Sequence, residues 1–526
     1  MRVAIVKWAI AVGWLVLVLT ALARVAGSAE RTLTLDQALA MALQKNEGLV
    51  IEREAAAAAR AAVGAAEGAY DPVLAVDGGW RRSIEPVNSS FSGAPVGGFA
   101  PRNESAGGDA SLQQLLPSGG LLALRTSATR TTTDGIFAPL TPAYGAQVGV
   151  ELRQPLLRDL STDQARFNVR AATADRLGAG ASLRRVTLET VAATERAYWR
   201  LVAARLAIDV RQEAVKLAED QLEETRTRAE RGAVPHTELA QPQAELERRR
   251  GDLLETREAE ARAENQLKSL ILDAADDSLW LAPLVPLADT AVSVTAVDVA
   301  AELDRALAAR PELDMAQAAV IRRRAESSYA HNGVLPSLDA VVSYDRYGLA
   351  GTSNSAAAAG FPSSFDGDLG TSFHAIGDGS FDATRVALTL SLPIVNRGAR
   401  GNAAVADHQQ RQAEADAARV RKLIRTEVLD AAAALETAGQ RIEAARSGRA
   451  AAETQLAAER DRYTTGLSTN FLVLTRQNDL SRARLDEISA ITDYRTARTE
   501  MARAAGSLLE ERGIHVDGSG RSGGSR

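Results

Sequence analysis

Two periodicities alternate along this chain of 526 residues. From about 163 to 231 and from about 399 to 463 no proline interrupts, and Ala, Arg, Glu and Leu dominate. In the first run Ala197, Leu201, Ala204, Ile208, Arg211, Val215, Ala218 and Leu222 alternate steps of four and three. That is the heptad spacing of a coiled-coil seam, small and aliphatic with one Arg intruding. At about 1.5 Å per residue each run predicts a helix of roughly 100 Å.

Elsewhere the period falls to two. Tyr144, Ala146, Val148, Val150 and Leu152 alternate with Gly145, Gln147, Gly149, Glu151 and Arg153, and Val386, Leu388, Leu390 and Leu392 alternate with Ala387, Thr389 and Ser391. Strict alternation gives a strand one apolar and one polar face. A soluble sandwich strand has the same pattern. Segments of about ten residues joined by Gly/Ser/Asn-rich loops (85–109 and 348–380) fit a transmembrane β-barrel better. A further segment, 110–131, reads as a hairpin around Pro117-Ser118-Gly119-Gly120. It either extends the first strand pair beyond the membrane or belongs to the exposed loop. Four strands, or six with that hairpin, cannot close a barrel, since barrels begin at about eight. Unpaired edges are not tolerated in lipid, so the chain has to complete its barrel by oligomerising. Four strands from each of three chains give about twelve.

These elements occur twice. Leu39, Ala42, Leu43, Leu49 and Pro72 align with Leu303, Ala306, Leu307, Leu313 and Pro336 at an offset of 264. Arg228, Gly232, Gln243 and Leu246 align with Arg462, Gly466, Gln477 and Leu480 at an offset of 234. Both halves read helix, strand, loop, strand, Pro, long helix, Gly break, long helix. This is a tandem duplication. The expected organisation is a signal peptide at 1–29, a first repeat at 30–272, an equatorial linker at 273–296, a second repeat at 297–512 and a disordered tail at 513–526.

Composition narrows the function. With 4% aromatics, long helices with small-residue seams are favoured over a thick core. Net charge is −6 with both signs interspersed, which offers nothing to a nucleic acid. There is no Cys, so no disulfide framework, Cys metal site or lipid anchor on a mature Cys. Arg2 and Lys7 precede the apolar run 8–22, and Gly27-Ser28-Ala29 supplies small residues for cleavage. This is a secretory signal pattern, with an uncleaved anchor as the other reading. The five His residues (236, 331, 374, 408 and 515) have no ligand-like spacing, and there is neither a phosphate loop nor a GxSxG elbow. The chain reads as no enzyme, with no cofactor and no metal.

The segments "LTLDQALAMALQKNEGL", "ELRQPLLR", "LSLPIVNRGAR" and "RYTTGLSTNFLVLTRQNDLSRARLDEISAITDYRTARTEMARAAGSLL" together resemble the TolC family of outer-membrane efflux proteins, from about residue 33 to 512. The resemblance implies a fold that is mainly α with a membrane β-barrel portion: a homotrimer whose 12-stranded barrel continues as an α-helical barrel through the periplasm. It also implies a passive outer-membrane duct of an efflux or secretion system, surrounded by outer-membrane lipid and docked to a periplasmic adaptor and an inner-membrane transporter. In that family the hairpin tips carry a Val-Gly-Leu…Thr pattern where the adaptor docks. The second tip here keeps Gly466, Leu467 and Thr469, with Thr465 for Val. The first keeps Gly232 and Thr237 but has Arg231 for Val and Ala233 for Leu, with Pro235 and Pro242 as further departures. Well-known members place acidic residues six and nine positions after the second tip Gly, at the periplasmic constriction. Leu472 and Thr475 stand there in this chain, either as helix-packing residues or as an apolar gate. The competing reading is a trimeric coiled-coil adhesin or envelope scaffold without transport. The cargo and the pump are not legible.

Overall fold

The computed structural model describes residues 31–86, 93–95, 98, 100–287, 291–355, 362–516 and 522–523. The expected signal peptide lies outside the described residues, as does the expected tail apart from 513–516 and 522–523. The chain begins with β1 (Arg31–Leu33), α1 (Leu35–Lys45), α2 (Glu47–Glu67) and four strands, β2 (Val73–Ile84), β3 (Arg102–Leu115), β4 (Leu121–Thr133) and β5 (Leu140–Pro155). Two long helices follow, α3 (Gln164–Glu230) and α4 (Ala240–Ile271), and then β6 (Leu284–Pro286). The second half runs α5 (Val299–Ala309), α6 (Pro311–Asn332), β7 (Ser337–Ser353), α7 (Leu369–Asp378), β8 (Asp382–Ser391), α8 (Arg397–Thr464) and α9 (Asn470–Ala505).

The duplication holds residue by residue. α1 and α5 occupy the same 11 positions 264 apart. Thr34 caps α1, accepting from Gln37 N–H in a capping box, while its counterpart Asp298 caps α5 by accepting from Ala300 and Ala301 N–H. β2 begins at Val73 and β7 at Ser337, again 264 apart.

The chain divides into two compact units. The helical unit comprises the residues up to Ala57, Gly178–Ala316 and those from Ala417 on. It has one core per repeat. Ala38, Ala42, Tyr198, Leu201, Leu267 and Ile271 belong to the first, and Ala306, Val428, Leu435, Ile442, Tyr494 and Ala504 to the second. A third cluster joins the repeats, setting Leu39, Leu188, Val191 and Ala192 against Ala502 and Leu508. Each core has a tyrosine that ties down the connection. Tyr198 Oη donates to Leu33 O at 3.1 Å and Leu287 O at 2.6 Å, and Tyr494 Oη accepts from Thr295 N–H at 3.3 Å. The Arg that interrupts the heptad seam is paired, Arg211 Nη1 lying 3.1 Å from Asp252 Oδ2.

Tyr198 is fully buried, and burial pushes its phenol up to about 12. An unfolded tyrosine loses its proton near pH 10. Between about pH 10 and 12 the unfolded chain therefore sheds a proton that the native fold retains, and stability falls as pH rises. Tyr198→Phe takes the hydroxyl donor from Leu287 O, while Leu33 O keeps the Leu287 N–H at 2.9 Å, and is expected to cost about 1–3 kcal/mol at neutral pH. The gap to wild type should shrink above pH 10. Thermal unfolding of the full chain at pH 7 and 11 checks both, and a gap that widens at pH 11 contradicts the assignment.

The second unit, Ala58–Leu177 with Gln317–Asp416, is built on a six-stranded antiparallel sheet ordered β2-β3-β4-β5-β7-β8. The hairpin at 110–131 belongs to this sheet as β3 and β4, between β2 and β5. Its turn closes through Leu116 N–H to Gly120 O at 2.7 Å and Gly119 N–H to Leu116 O at 2.9 Å, with Gly119 at φ +80°. β3 starts at Arg102, inside the span 85–109 that the sequence assigns to a loop. Gly107, Gly108 and Asp109 in its middle mask the alternation. α7 lies within the second expected loop and packs on β5 and β7, its Ser372 backbone against Gly348, where a side chain has no room.

Candidate functional site

In the helical unit both helical hairpins turn by the same hydrogen bonds. At the first tip Gly232 N–H donates to Ala229 O and Ala233 N–H to Arg228 O, each at 2.9 Å. At the second, Gly466 N–H donates to Tyr463 O at 3.1 Å and Leu467 N–H to Arg462 O at 2.8 Å. These paired bonds form a Schellman motif, which ends a helix on a residue in the left-handed conformation. Gly232 has φ +73° and Gly466 φ +78°, and a Cβ at either would meet no atom within 4 Å. Backbone conformation rather than space requires glycine here. Gly466→Val is expected to cost about 1–2 kcal/mol, because a β-branched side chain resists this conformation. Urea unfolding of the full chain should register it, and a neutral result would mean the turn has another way to form.

Beyond the turns the tips diverge. The first continues through Pro235 into a single 3₁₀ turn, His236–Leu239, before α4 begins. Thr237 is exposed, and Pro242 is buried in the first turn of α4, where a missing N–H costs nothing. At the second tip Thr469 precedes α9 without a side-chain cap bond. The run Phe471-Leu472-Val473-Leu474 is split by the helical period. Val473 and Leu474 are buried, whereas Phe471 and Leu472 remain 60% and 38% exposed and Leu467 on the turn 75%. Leu467, Phe471 and Leu472 thus form an exposed apolar trio. Thr475 is half-buried and its hydroxyl donates to Phe471 O at 2.8 Å. The hydroxyl of Thr465 is likewise taken up, by Asp461 O and Arg462 O.

The two hairpins meet near their tips. The Arg228 guanidinium lies 4.7 Å from the Tyr463 ring centroid, and Asn470 Nδ2 donates to Thr225 Oγ1 at 3.5 Å. Burial pushes the Tyr463 phenol above its ordinary range, with Arg228 pulling the other way. Further along, Glu245 accepts from Arg248 at 2.6 Å, Arg249 at 2.8 Å and Asn478 at 3.1 Å. Burial raises the Glu245 carboxyl, but the hydrogen bonds from the two arginines outweigh it and leave the group below its usual range. Sequence reasoning missed Arg228, Tyr463 and Glu245 as contacts between hairpins. Tyr463 offered a signal, being an aromatic at a helix end beside the duplicated break.

Among the described residues no group of three or more His, Cys, Asp or Glu could hold a metal ion, and no helix is long and apolar enough to cross a membrane. The sheet of the other unit is two-faced. Its register aligns Leu74, Leu112, Leu124, Val150 and Tyr344 across five strands on one face. The opposite face carries Arg125–Glu151 at 3.2 Å and Arg153–Asp339 at 2.8 Å.

Known proteins share this architecture. The CmeC outer membrane channel of Campylobacter jejuni superposes with a TM-score of 0.62 at 17% identity, over 90% of this chain and 86% of that one. VceC, an outer membrane protein of Vibrio cholerae, gives 0.62 at 16% identity over 90% and 96%. The open state of the Neisseria gonorrhoeae MtrE outer membrane channel gives 0.60 at 18% identity over 90% and 89%. No curated protein matches the sequence. The family model described as outer membrane efflux protein matches residues 113–271 and 303–507, which is most of both repeats. With its duplicated strand–helical-hairpin fold and open-edged sheet, the chain belongs to the outer membrane efflux protein family.

Proposed function

We propose that this protein is a passive trimeric duct in the outer membrane of a trans-envelope efflux or secretion system. Three sheets complete the barrel in lipid, and the long helices continue it through the periplasm. A periplasmic adaptor docks at the tips around Gly232, Thr237, Gly466, Leu467 and Thr469, and an inner-membrane transporter supplies the energy. Leu472 and Thr475 line the periplasmic constriction. Residues 1–29 are removed on export, 30–272 and 297–512 are the repeats and 273–296 is the equatorial linker. The observation that carries the reading is the pairing of an open-edged, two-faced sheet with two like turns, one of which exposes an apolar trio. An isolated sheet edge is excluded from lipid, and exposed apolar residues on a turn suit a partner. An adhesin that contributes strands once, at its C-terminus, does not fit strands in both repeats.

The test is expression of the full chain, with the adaptor and pump encoded beside it, in a Gram-negative host that lacks its own channel. Export should appear, with a trimer extracted from outer membranes only by detergent. Leu467→Asp should abolish export while the trimer persists, since a charge has replaced the most exposed apolar residue of the tip. Extraction without detergent, or surface adhesion without export, would refute the duct.

A further inference from the structure

The sheet has six strands, two more than the four that make a twelve-stranded trimer. We infer that all six are barrel wall, so that three copies close a barrel of eighteen strands with the β3–β4 hairpin inserted between β2 and β5. This rests on the trimeric duct proposed above and gives its outer-membrane segment a different size.

Three observations on the hairpin carry the inference. The first is pairing: β3 is matched to β2 over all 12 residues of β2, from Val73↔Gln113 to Ile84↔Arg102. β4 is matched to β5 from Leu121↔Arg153 to Thr131↔Ala143 without a register shift. A hairpin that merely crowned the barrel would leave β2 and β5 to pair with each other. The second is facing. Ala106, Gly108, Ala110 and Leu112 of β3, and Leu122, Leu124 and Ala128 of β4, share the face of Leu74, Val76, Trp80, Val148, Val150 and Leu152. Asn103, Ser105, Asp109, Ser111 and Gln113 of β3, and Arg125, Ser127, Thr129 and Thr131 of β4, share the other face, where Arg125 pairs with Glu151. The first face also holds Thr126 within this band and, beyond Ala106, Glu104 and Arg130, where Glu104 meets Arg82 at 3.4 Å. A mainly apolar band outside, ending in a charged rim, and a polar face inside is the alternation of a membrane barrel. The third is length. β3 has 14 residues and β4 13, enough for the 9–11 or so that a tilted strand needs to span.

The outer strands are ready for a second copy. β2 and β8 are the sheet edges, and their outward residues, Leu74, Val76 and Trp80 on one and Val386, Leu388 and Leu390 on the other, are each more than 60% exposed. The apolar stretch moves from Leu74–Trp80 in β2 to Leu338–Tyr344 in β7 and Val386–Leu392 beyond it. Such a drift against the register is what tilted strands in a closed barrel require. Diameter grows roughly in proportion to strand number, so eighteen strands give a bore about 1.5 times that of twelve.

The absence of Cys gives a clean background for disulfide mapping. In detergent-purified full-length trimers, Ala75→Cys with Ser111→Cys, Val76→Cys with Ala110→Cys, Ser127→Cys with Gln147→Cys, and Ala128→Cys with Ala146→Cys sample both ladders that flank the hairpin. At least one pair in each ladder should oxidise within the chain. Asp77→Cys combined in turn with Arg385→Cys, Ala387→Cys and Thr389→Cys should give one combination that links chains. Electron cryomicroscopy of the unmodified trimer should show eighteen strands. If the interchain link forms while neither flanking ladder does, and the image shows twelve strands, the duct stands and the eighteen-stranded wall is overturned. If no interchain link forms and the particle is monomeric, both fall.

Discussion

Arg310→Met is expected to destabilise the helical unit by about 3–5 kcal/mol, the cost of breaking a buried ion pair from one side. Arg310 is 4% exposed and donates to Glu312 at 2.9 and 3.0 Å, to Ala504 O at 3.1 Å and to Arg503 O at 3.4 Å, with Glu427 Oε2 at 2.8 Å. Met fills a similar volume but leaves Glu312 without its cation and Glu427 with Arg503 alone. It also strips a donor from the last carbonyls of α9, where a positive charge complements the negative end of the helix dipole. Lys keeps the charge but not the planar fork, so Arg310→Lys should recover only part of the loss. The duplication supplies an internal control. Asn46 stands 264 residues before Arg310, at the C-cap of α1, and its Nδ2 donates to Leu270 O at 3.4 Å; Leu270 in turn stands 234 residues before Ala504. Both repeats therefore use the cap of the short helix to hold the end of the returning long helix. Asn46→Ala removes one neutral hydrogen bond and should cost about 1 kcal/mol. Urea unfolding of the full chain in detergent, followed by helical circular dichroism, ranks the three. Equal losses for Arg310→Met and Asn46→Ala would show that the charge contributes nothing beyond the shared bond.

That contrast also shows what the sequence conveys and what it hides. The two offsets, 264 and 234, were legible because duplicated Leu, Ala, Pro and Gly positions survive, and they recur in the fold as matching helix starts and matching turns. The seam was legible in part: Ala197, Leu201 and Ala218 are buried, while Ala204, Ile208, Arg211, Val215 and Leu222 are half-buried. The ionic contacts were not. Glu195 reads as one more acidic residue on a solvated helix, yet it is 1% exposed, accepts from Thr499 Oγ1 at 2.7 Å and pairs with Arg512. Its partners lie about 300 residues away, and i,i+4 spacing says nothing of them. β3 was hidden by its own composition: with Gly107-Gly108-Asp109 at its centre it has too little apolar contrast to be read as a strand, and pairing with β2 and β4 on both sides defines it. At the tips the glycines were legible and the contacts between hairpins were not, because a cation over a ring leaves no periodic trace.

Leu472→Asp is expected to turn a duct that ignores trivalent cations into one that they block. If Leu472 lines the constriction as proposed, its three copies make an apolar ring, and such a ring resists ions by dewetting, not by binding them. In the chain Leu472 is 38% exposed beside Phe471 at 60%, while Val473 and Leu474 take up the packing of α9. The side chain is therefore free to face a partner or a pore. Substituting Asp sets three carboxylates around one axis. A trivalent ion gains about 3 kcal/mol from each at 4 Å even at the dielectric of water, before salt screening reduces it. A gain in block of at least about 100-fold follows, acting from the periplasmic side alone. Thr475 lies one turn further on, with its hydroxyl bonded to Phe471 O. Thr475→Asp should reproduce the effect if the pore axis runs along this face of α9, and should not if only the first ring is narrow. Planar-bilayer conductance of the purified trimers, with a trivalent ion added to each side in turn, separates the outcomes. Potent block of the unmodified duct would rule out an apolar entrance. Failure of Leu472→Asp to bring block would move the constriction away from this residue and leave Leu467, Phe471 and Leu472 as adaptor contacts, which a loss of export by Leu467→Asp with unchanged conductance would then support.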